Sequence, residues 1–257
     1  DGMLSRSILK AVYPYLASVL KYLDVLTAVS ESGASYAHTV TDRPISIIPN
    51  GIELEKYARG SHKVAAAPDL GPTIFYVGRL EPRKGVKYLL SAFQLLAERN
   101  SGVRLLIAGD GPDREKLELF TEDLQLPNVS FLGFISEEQK MELLGQADLF
   151  CSPALFGESF GIVLLEAMAA GTVSVAGNNS GYSDLMQGIG GLSIVNPKDT
   201  PEFARRMELL LHENSLRKLW KDWAHNYVKQ FDYAHVVDAY EALYKESLAR
   251  YGGKQHP

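Results

Sequence analysis

Cysteine is nearly absent. Cys151 is the one thiol in 257 residues. It has no internal partner for a disulfide, so a disulfide-stapled secreted domain is excluded and a reducing compartment is expected. An excess of positive charge is absent too. Lys plus Arg number 26 against 31 Asp plus Glu, a formal net charge of -5. A strongly basic nucleic-acid binder shows the opposite balance. No apolar run reaches the roughly 18 residues that cross a bilayer, and no charged-then-apolar signal peptide opens the chain. The six histidines are dispersed, without the H-x-x-x-H or C-x-x-C spacing of a zinc site. What is there is ordinary globular material. Hydrophobic residues make up 46% and charged residues 22%, enough apolar surface to offset chain entropy. At about 100–200 residues per domain, the length holds one large domain or two small ones. The first residue is Asp1 rather than Met, and a fragment of a longer protein is expected.

Short β-branched runs alternate with helical periods. Residues 73–78 (TIFYVG), 104–109 (RLLIAG), 129–133 (VSFLG), 148–152 (DLFCS), 173–177 (VSVAG) and 192–195 (LSIV) read as strands. Val86, Leu89, Leu90, Phe93, Leu96 and Ala97 share one helical face. Further helices are expected near 112–125, 136–146 and 160–170. Near-continuous apolar strands separated by helices predict a parallel sheet covered on both faces. The expectation is a doubly wound, Rossmann-like α/β domain over residues 72–230, with about six strands. The first 50 residues differ. Ile8, Val12, Tyr15, Leu16, Val19, Leu20 and Leu23 form a helical stripe over 7–23, with strands at 25–29 and 45–49. These elements are too few to close a core of their own. Residues 1–50 therefore read as the end of a second α/β domain, and 51–71, rich in Gly, Ala and Pro, as an interdomain linker. Residues 231–257 read as a crossover helix and tail, with an apolar side carried by Val236, Val237, Tyr240, Leu243, Tyr244 and Leu248.

Three segments at carboxyl ends of expected strands carry the chemistry, since ligands of open α/β sheets bind there. In Gly78-Arg79-Leu80-Glu81-Pro82-Arg83-Lys84-Gly85 the glycine admits close backbone approach, and Arg79 and Lys84 are placed to flank a diphosphate. A plain solvated turn before a helix fits the same residues. Ala108-Gly109-Asp110-Gly111-Pro112 lacks the full G-x-G-x-x-G, because position 114 is Arg114 and Pro112 is read as the helix start. Nicotinamide binding is not supported there. The third segment runs from Phe156 to Gly171 (FGESFGIVLLEAMAAG), with seven residues between Glu158 and Glu166. A helix starting near Phe160 would turn its free N–H groups toward the crevice, a site for phosphate. Glu166 sits in an otherwise apolar helix, where a carboxylate needs a partner. A local cation or a ligand meets that need.

The glutamate pair, G-R-L-x-x-x-K-G after the first strand, I-A-G-D-G-P after the second and F-L-G after the third resemble retaining glycosyltransferases of family 4. The stretch Gly157–Gly171 is similar to bacterial phosphatidylinositol mannosyltransferases. The resemblance implies a GT-B fold and transfer of a hexose such as mannose from a GDP- or UDP-sugar to a lipid or glycan acceptor, without a metal or other cofactor. It implies that Arg79 and Lys84 grip the diphosphate and that Glu158 binds the donor sugar, helped by backbone groups of Ser159, Phe160 and Gly161. Ile162 and Val163 would offer N–H groups to the distal phosphate, Glu166 would take the ribose hydroxyls, and Phe134 would meet the nucleobase through its backbone. Where many relatives carry a glycine pair and a glutamate, this chain has Asn178-Asn179-Ser180-Gly181-Tyr182-Ser183-Asp184, and Asp184 is the candidate stand-in. The same resemblance implies a cytoplasmic protein with peripheral membrane contact through an upstream domain and no nucleic-acid partner. The present chain alone is then expected to bind donor without transferring sugar. Two alternatives stay open: a nucleotide-sugar-binding module without transfer, and another GT-B enzyme such as an epimerase.

Overall fold

The computed structural model describes residues 15–16, 18–60 and 71–252. Much of the helical stripe expected over 7–23, most of the second half of the expected linker and the last five residues lie outside them. The first described unit is small. Strands β1 (Leu26–Ala28) and β2 (Ile45–Ile47) pair in parallel, with Leu26 opposite Ile45, and α1 (Glu31–Ala37) connects them. Within residues 51–71 the chain forms helix α2 (Leu54–Gly60), and Ile52 and Tyr57 are buried in the main core.

The main sheet has six strands: β3 (Thr73–Val77), β4 (Arg104–Ala108), β5 (Val129–Gly133), β6 (Leu149–Ser152), β7 (Ser174–Gly177) and β8 (Ile194–Val195). Their order is β5-β4-β3-β6-β7-β8, and every pairing is parallel. This is the doubly wound α/β sheet that the apolar runs predict. Helices α3 (Val86–Ala97), α4 (Arg114–Asp123), α5 (Glu137–Gln146) and α6 (Ile162–Ala169) follow β3 to β6. Then come α7 (Ser180–Leu185), α8 (Thr200–His212), α9 (Asn214–Tyr227) and α10 (Tyr233–Gly252). The core lies on both sheet faces, with Ile74, Phe75, Leu89, Phe93, Leu105, Ile107, Phe150 and Val175 fully buried. Cys151 is buried among them, and burial pushes its thiol well above the ordinary range.

Three boundaries differ from the sequence reading. Pro112 does not start a helix: residues 112–113 form a turn, and α4 begins at Arg114. Leu192 and Ser193 belong to a 3-10 turn (Gly188–Ser193), leaving only Ile194 and Val195 in β8. Helix α6 starts at Ile162 rather than near Phe160. Gly161 caps it at φ 106°, a left-handed conformation that breaks the helical run.

Two glycines bring the site loops together. Gly109 has φ +122°, and a Cβ there would lie 1.9 Å from the Gly78 carbonyl oxygen. A Cβ on Gly111 would lie 2.3 Å from the Leu80 carbonyl oxygen. The loops after β3 and β4 are thus in backbone contact. The contact is sewn by Leu80 N–H to the Asp110 carbonyl at 2.9 Å and by Asp113 N–H to the Leu80 carbonyl at 3.0 Å.

Candidate donor site

Strand β3 has β4 on one side and β6 on the other. Their following connections therefore part to opposite sides, which leaves a crevice at the carboxyl ends of β3 and β6. Two adjoining cavities open there. One, of about 230 Å³, is lined by Tyr76, Gly78, Lys84, Ser152 and residues 157–163. The other, of about 340 Å³, is lined by Arg79, Gly109, Asp110, Phe134, Ile135, Lys140 and others. Val77, Gly78 and Val163 line both.

In the first cavity the loops after β3 and β6 meet through charge. Glu158 Oε1 accepts from Lys84 Nζ at 2.6 Å and from Arg83 Nη1 at 2.8 Å. Arg83 Nη1 also donates to the Gly157 carbonyl at 3.1 Å, and its Nε lies 2.7 Å from Glu81 Oε1. Lys84 and Glu158 are mostly buried, at 19% and 15% side-chain exposure. The lysine is set at the end of a 3-10 turn (Pro82–Lys84), closed by Gly85 at φ 72°. An ammonium has three donors, so Lys84 can hold Glu158 and still meet an anion. Tyr76 donates its hydroxyl to the Arg79 carbonyl at 3.1 Å. Burial foremost, with Tyr182 and Glu158 nearby, holds the Tyr76 phenol well above its usual value, so it stays a donor.

Behind the crevice stands the start of α6. The first N–H groups of a helix have no intrahelical partner; Ile162 lines the first cavity and Val163 lies at the wall shared by both. Glu166, one turn on, is 6% exposed. Its Oε1 accepts from Lys140 Nζ at 2.8 Å, while its Oε2 is buried without a hydrogen bond. Lys140 is also 2.7 Å from Glu137. Beside Glu166 lies Tyr57, whose phenol is held far above its usual value by burial first and then by the Glu166 charge. Among the described residues no group of three His, Cys, Asp or Glu side chains is placed to hold a metal ion.

The predicted residues divide as follows. Lys84, Glu158, Ser159, Phe160, Gly161, Ile162 and Val163 share the first cavity with Gly78. Arg79 and Phe134 line the second, both with exposed side chains, Phe134 at 89%. Glu166 lines neither. It faces a third cavity with Tyr57 and Ile162, and Lys140 stands between it and the second. Asp184 reaches away from the crevice, where its Oδ2 accepts from the Ser32 N–H at 2.7 Å. Sequence reasoning missed Arg83, Lys140 and Tyr57. The Arg83-Lys84 pair and the Glu137–Lys140 spacing were visible. The partners in Glu158 and Glu166 were not, being 75 and 26 residues away.

A family model described as "Glycosyl transferases group 1" matches residues 60–227. A curated phosphatidyl-myo-inositol mannosyltransferase of Mycobacterium leprae is 34% identical over 208 residues, covering 80% of this chain and 54% of that relative. A GDP-mannose:cellobiosyl-diphosphopolyprenol alpha-mannosyltransferase of Xanthomonas oryzae pv. oryzae is 29% identical, covering 90% of this chain and 60% of the relative. The chain thus spans about half the length of the curated relatives it matches. Among solved structures, sucrose-phosphate synthase from Thermosynechococcus elongatus superposes with a TM-score of 0.81 at 22% identity, over 94% of this chain and 62% of that one. Anabaena HepE in complex with UDP and glucose gives 0.74 at 21% identity, over 89% and 64%. Both share the fold. The crevice motifs expected from the sequence lie inside the matched region, and the chain belongs to the group 1 glycosyl transferases.

Proposed function

We propose that this chain is the donor-binding part of a retaining hexosyltransferase that moves mannose from a nucleoside-diphosphate sugar to a lipid or glycan acceptor. The observation that carries the reading is the Lys84–Glu158 pair, 2.6 Å apart at the strand-order switch, in front of the free N–H groups of α6. A cation and a helix start face a diphosphate, and a carboxylate faces sugar hydroxyls. As the bond from the sugar's anomeric carbon to the diphosphate oxygen breaks, negative charge grows on the leaving diphosphate. Lys84, Arg79 and the N–H groups of Ile162 and Val163 are preorganised to meet it. In this reading the cations take the place of a metal, and no other cofactor is needed. Mannose and a lipid-linked acceptor are favoured by the names of the relatives from Mycobacterium leprae and Xanthomonas oryzae. The acceptor, and contact with a membrane surface on the cytoplasmic side, belong to the upstream unit that ends with β1 and β2. Among the described residues no helix is long and apolar enough to cross a membrane.

Titration calorimetry of GDP and UDP into the 257-residue chain tests the reading. Lys84→Ala and Arg79→Ala are each expected to weaken the preferred diphosphate by about 1–3 kcal/mol, the scale of a charge-assisted hydrogen bond. Lys84 is expected to lose more, being the less exposed of the two. Unchanged affinity in both variants rejects the assignment. A second pair divides the ligand. Glu158→Gln is expected to weaken GDP-mannose while sparing GDP, and Glu166→Gln to weaken both. Equal losses for GDP in the two variants would remove that division of labour.

A further inference from the structure

Ser30 comes from the turn between β1 and α1, outside the family-matched region, yet it touches the donor loop. It is 4% exposed, and its hydroxyl donates to the Ser159 carbonyl at 2.6 Å. The same oxygen accepts from the Gly33 N–H at 3.0 Å and so caps α1. The turn is held from its other end by Asp184, which accepts from the Ser32 N–H at 2.7 Å. Helix α7, which carries Asp184, is itself pressed against the donor loop: a Cβ on Gly181 would lie 2.1 Å from the Glu158 carbonyl oxygen. The Glu158–Ser159 backbone is therefore clamped between α7 and Ser30.

A trans peptide unit is planar, with its C=O and N–H pointing in opposite directions. The described residues contain no cis peptide. Pinning the Ser159 carbonyl onto Ser30 therefore turns the N–H of the same unit, that of Phe160, the opposite way. Ser159 and Phe160 both line the 230 Å³ cavity that holds Glu158. We propose that Ser30 is a positioning residue that aims the Phe160 N–H at the sugar end of the donor, and that Asp184 holds Ser30 in register. The donor loop is then finished by a side chain from the upstream unit. This inference rests on the donor reading above.

The test is titration of GDP, UDP, GDP-mannose and UDP-glucose into the 257-residue chain, with thermal melts to confirm folding. Ser30→Ala is expected to weaken the preferred nucleotide-sugar about tenfold more than its sugar-free diphosphate, the scale of one hydrogen bond. Ser30→Thr keeps the hydroxyl and is expected to restore the wild-type ratio. A general loss of structure would lower both ligands together and would not be rescued. Asp184→Ala, which leaves Ser30 itself in place, should give a smaller loss of the same selective kind, and Asp184→Asn, which keeps an accepting oxygen, should not. An unchanged ratio in Ser30→Ala and Asp184→Ala, or no rescue by threonine, overturns the inference alone. A wild-type chain that binds none of the four ligands overturns the donor reading, and this inference falls with it.

Discussion

Lys140→Ala is expected to lower the unfolding free energy by about 3–5 kcal/mol, the cost of stranding one member of a buried ion pair. Glu166 is 7% and Lys140 12% exposed at the side chain. Without the ammonium, the buried Glu166 charge would have no cation beside it, with Oε2 already lacking a hydrogen bond and only the neutral Tyr57 phenol nearby. The reverse change is milder. Glu166→Gln leaves Lys140 with Glu137, which is 75% exposed and hydrated. Removing both charges together, as Lys140→Met with Glu166→Met, should recover most of the loss, since an apolar replacement of a buried pair is often neutral. Urea unfolding at pH 7 measures all three. A loss below about 1 kcal/mol in Lys140→Ala, the scale of a surface pair, would show that the pair is solvated. The pH dependence has a definite sign. Burial is the largest influence on Lys140 and opposes its charge. The hydrogen bonds to Glu137 and Glu166, with their charges, outweigh it and raise the ammonium above the ordinary 10.5. A raised lysine contributes stability that is fully present below its unfolded value and is lost as pH rises through the folded one. The wild-type chain should therefore lose this contribution above pH 10.5, and the double variant should not.

Gly109→Ala is expected to cost about 3 kcal/mol or more, combining left-handed strain with overpacking. The methyl group would arrive 1.9 Å from a backbone oxygen, that of Gly78, and neither loop has a flexible side chain end to give way. Gly78 must move, and with it the wall shared by the two cavities. Nucleoside diphosphate affinity should fall along with stability. Gly171→Ala is the control. It has φ +72° but no atom within 4 Å of the added carbon, so only the backbone strain remains, about 1–2 kcal/mol. Thermal melts of the two variants, with and without diphosphate, separate the effects. Equal shifts in both would show that the loops after β3 and β4 can part without penalty.

The strands of the main sheet were legible because a strand buried on both faces must be apolar throughout, as Phe75, Ile107, Phe150 and Val175 are. Helix α3 was legible by its period, and α8 shows the same period through Phe203, Met207, Leu210 and Leu211. Helices α1 and α7 were not, because at seven and six residues they span about two turns. Their caps, Ser30 and Asn179, are local bonds to Gly33 and Tyr182 that mark a start but give no period to read. The candidate site shows the same division. Lys84 and Glu158 could be named from their loops, since glycines and helix starts mark where backbones approach a ligand. The second cation on Glu158, the lysine on Glu166 and the serine on Ser159 could not. Those contacts join residues 75, 26 and 129 positions apart, and only the packed fold sets them together.

The strand order also sets a clock on synthesis. Strand β3 finds β4 soon after it leaves the ribosome, but its other neighbour, β6, begins only at Leu149. At roughly 5–20 residues per second, the open flank of β3 waits about 4–15 seconds for its partner. Throughout that interval the flank presents Ile74 and Phe75 beside unpaired backbone donors and acceptors, a template for another nascent chain. Parallel pairings across so long a separation are slow to form even in a finished chain. Yield on expression should therefore respond to elongation rate and temperature more steeply than the stability of the finished fold would suggest.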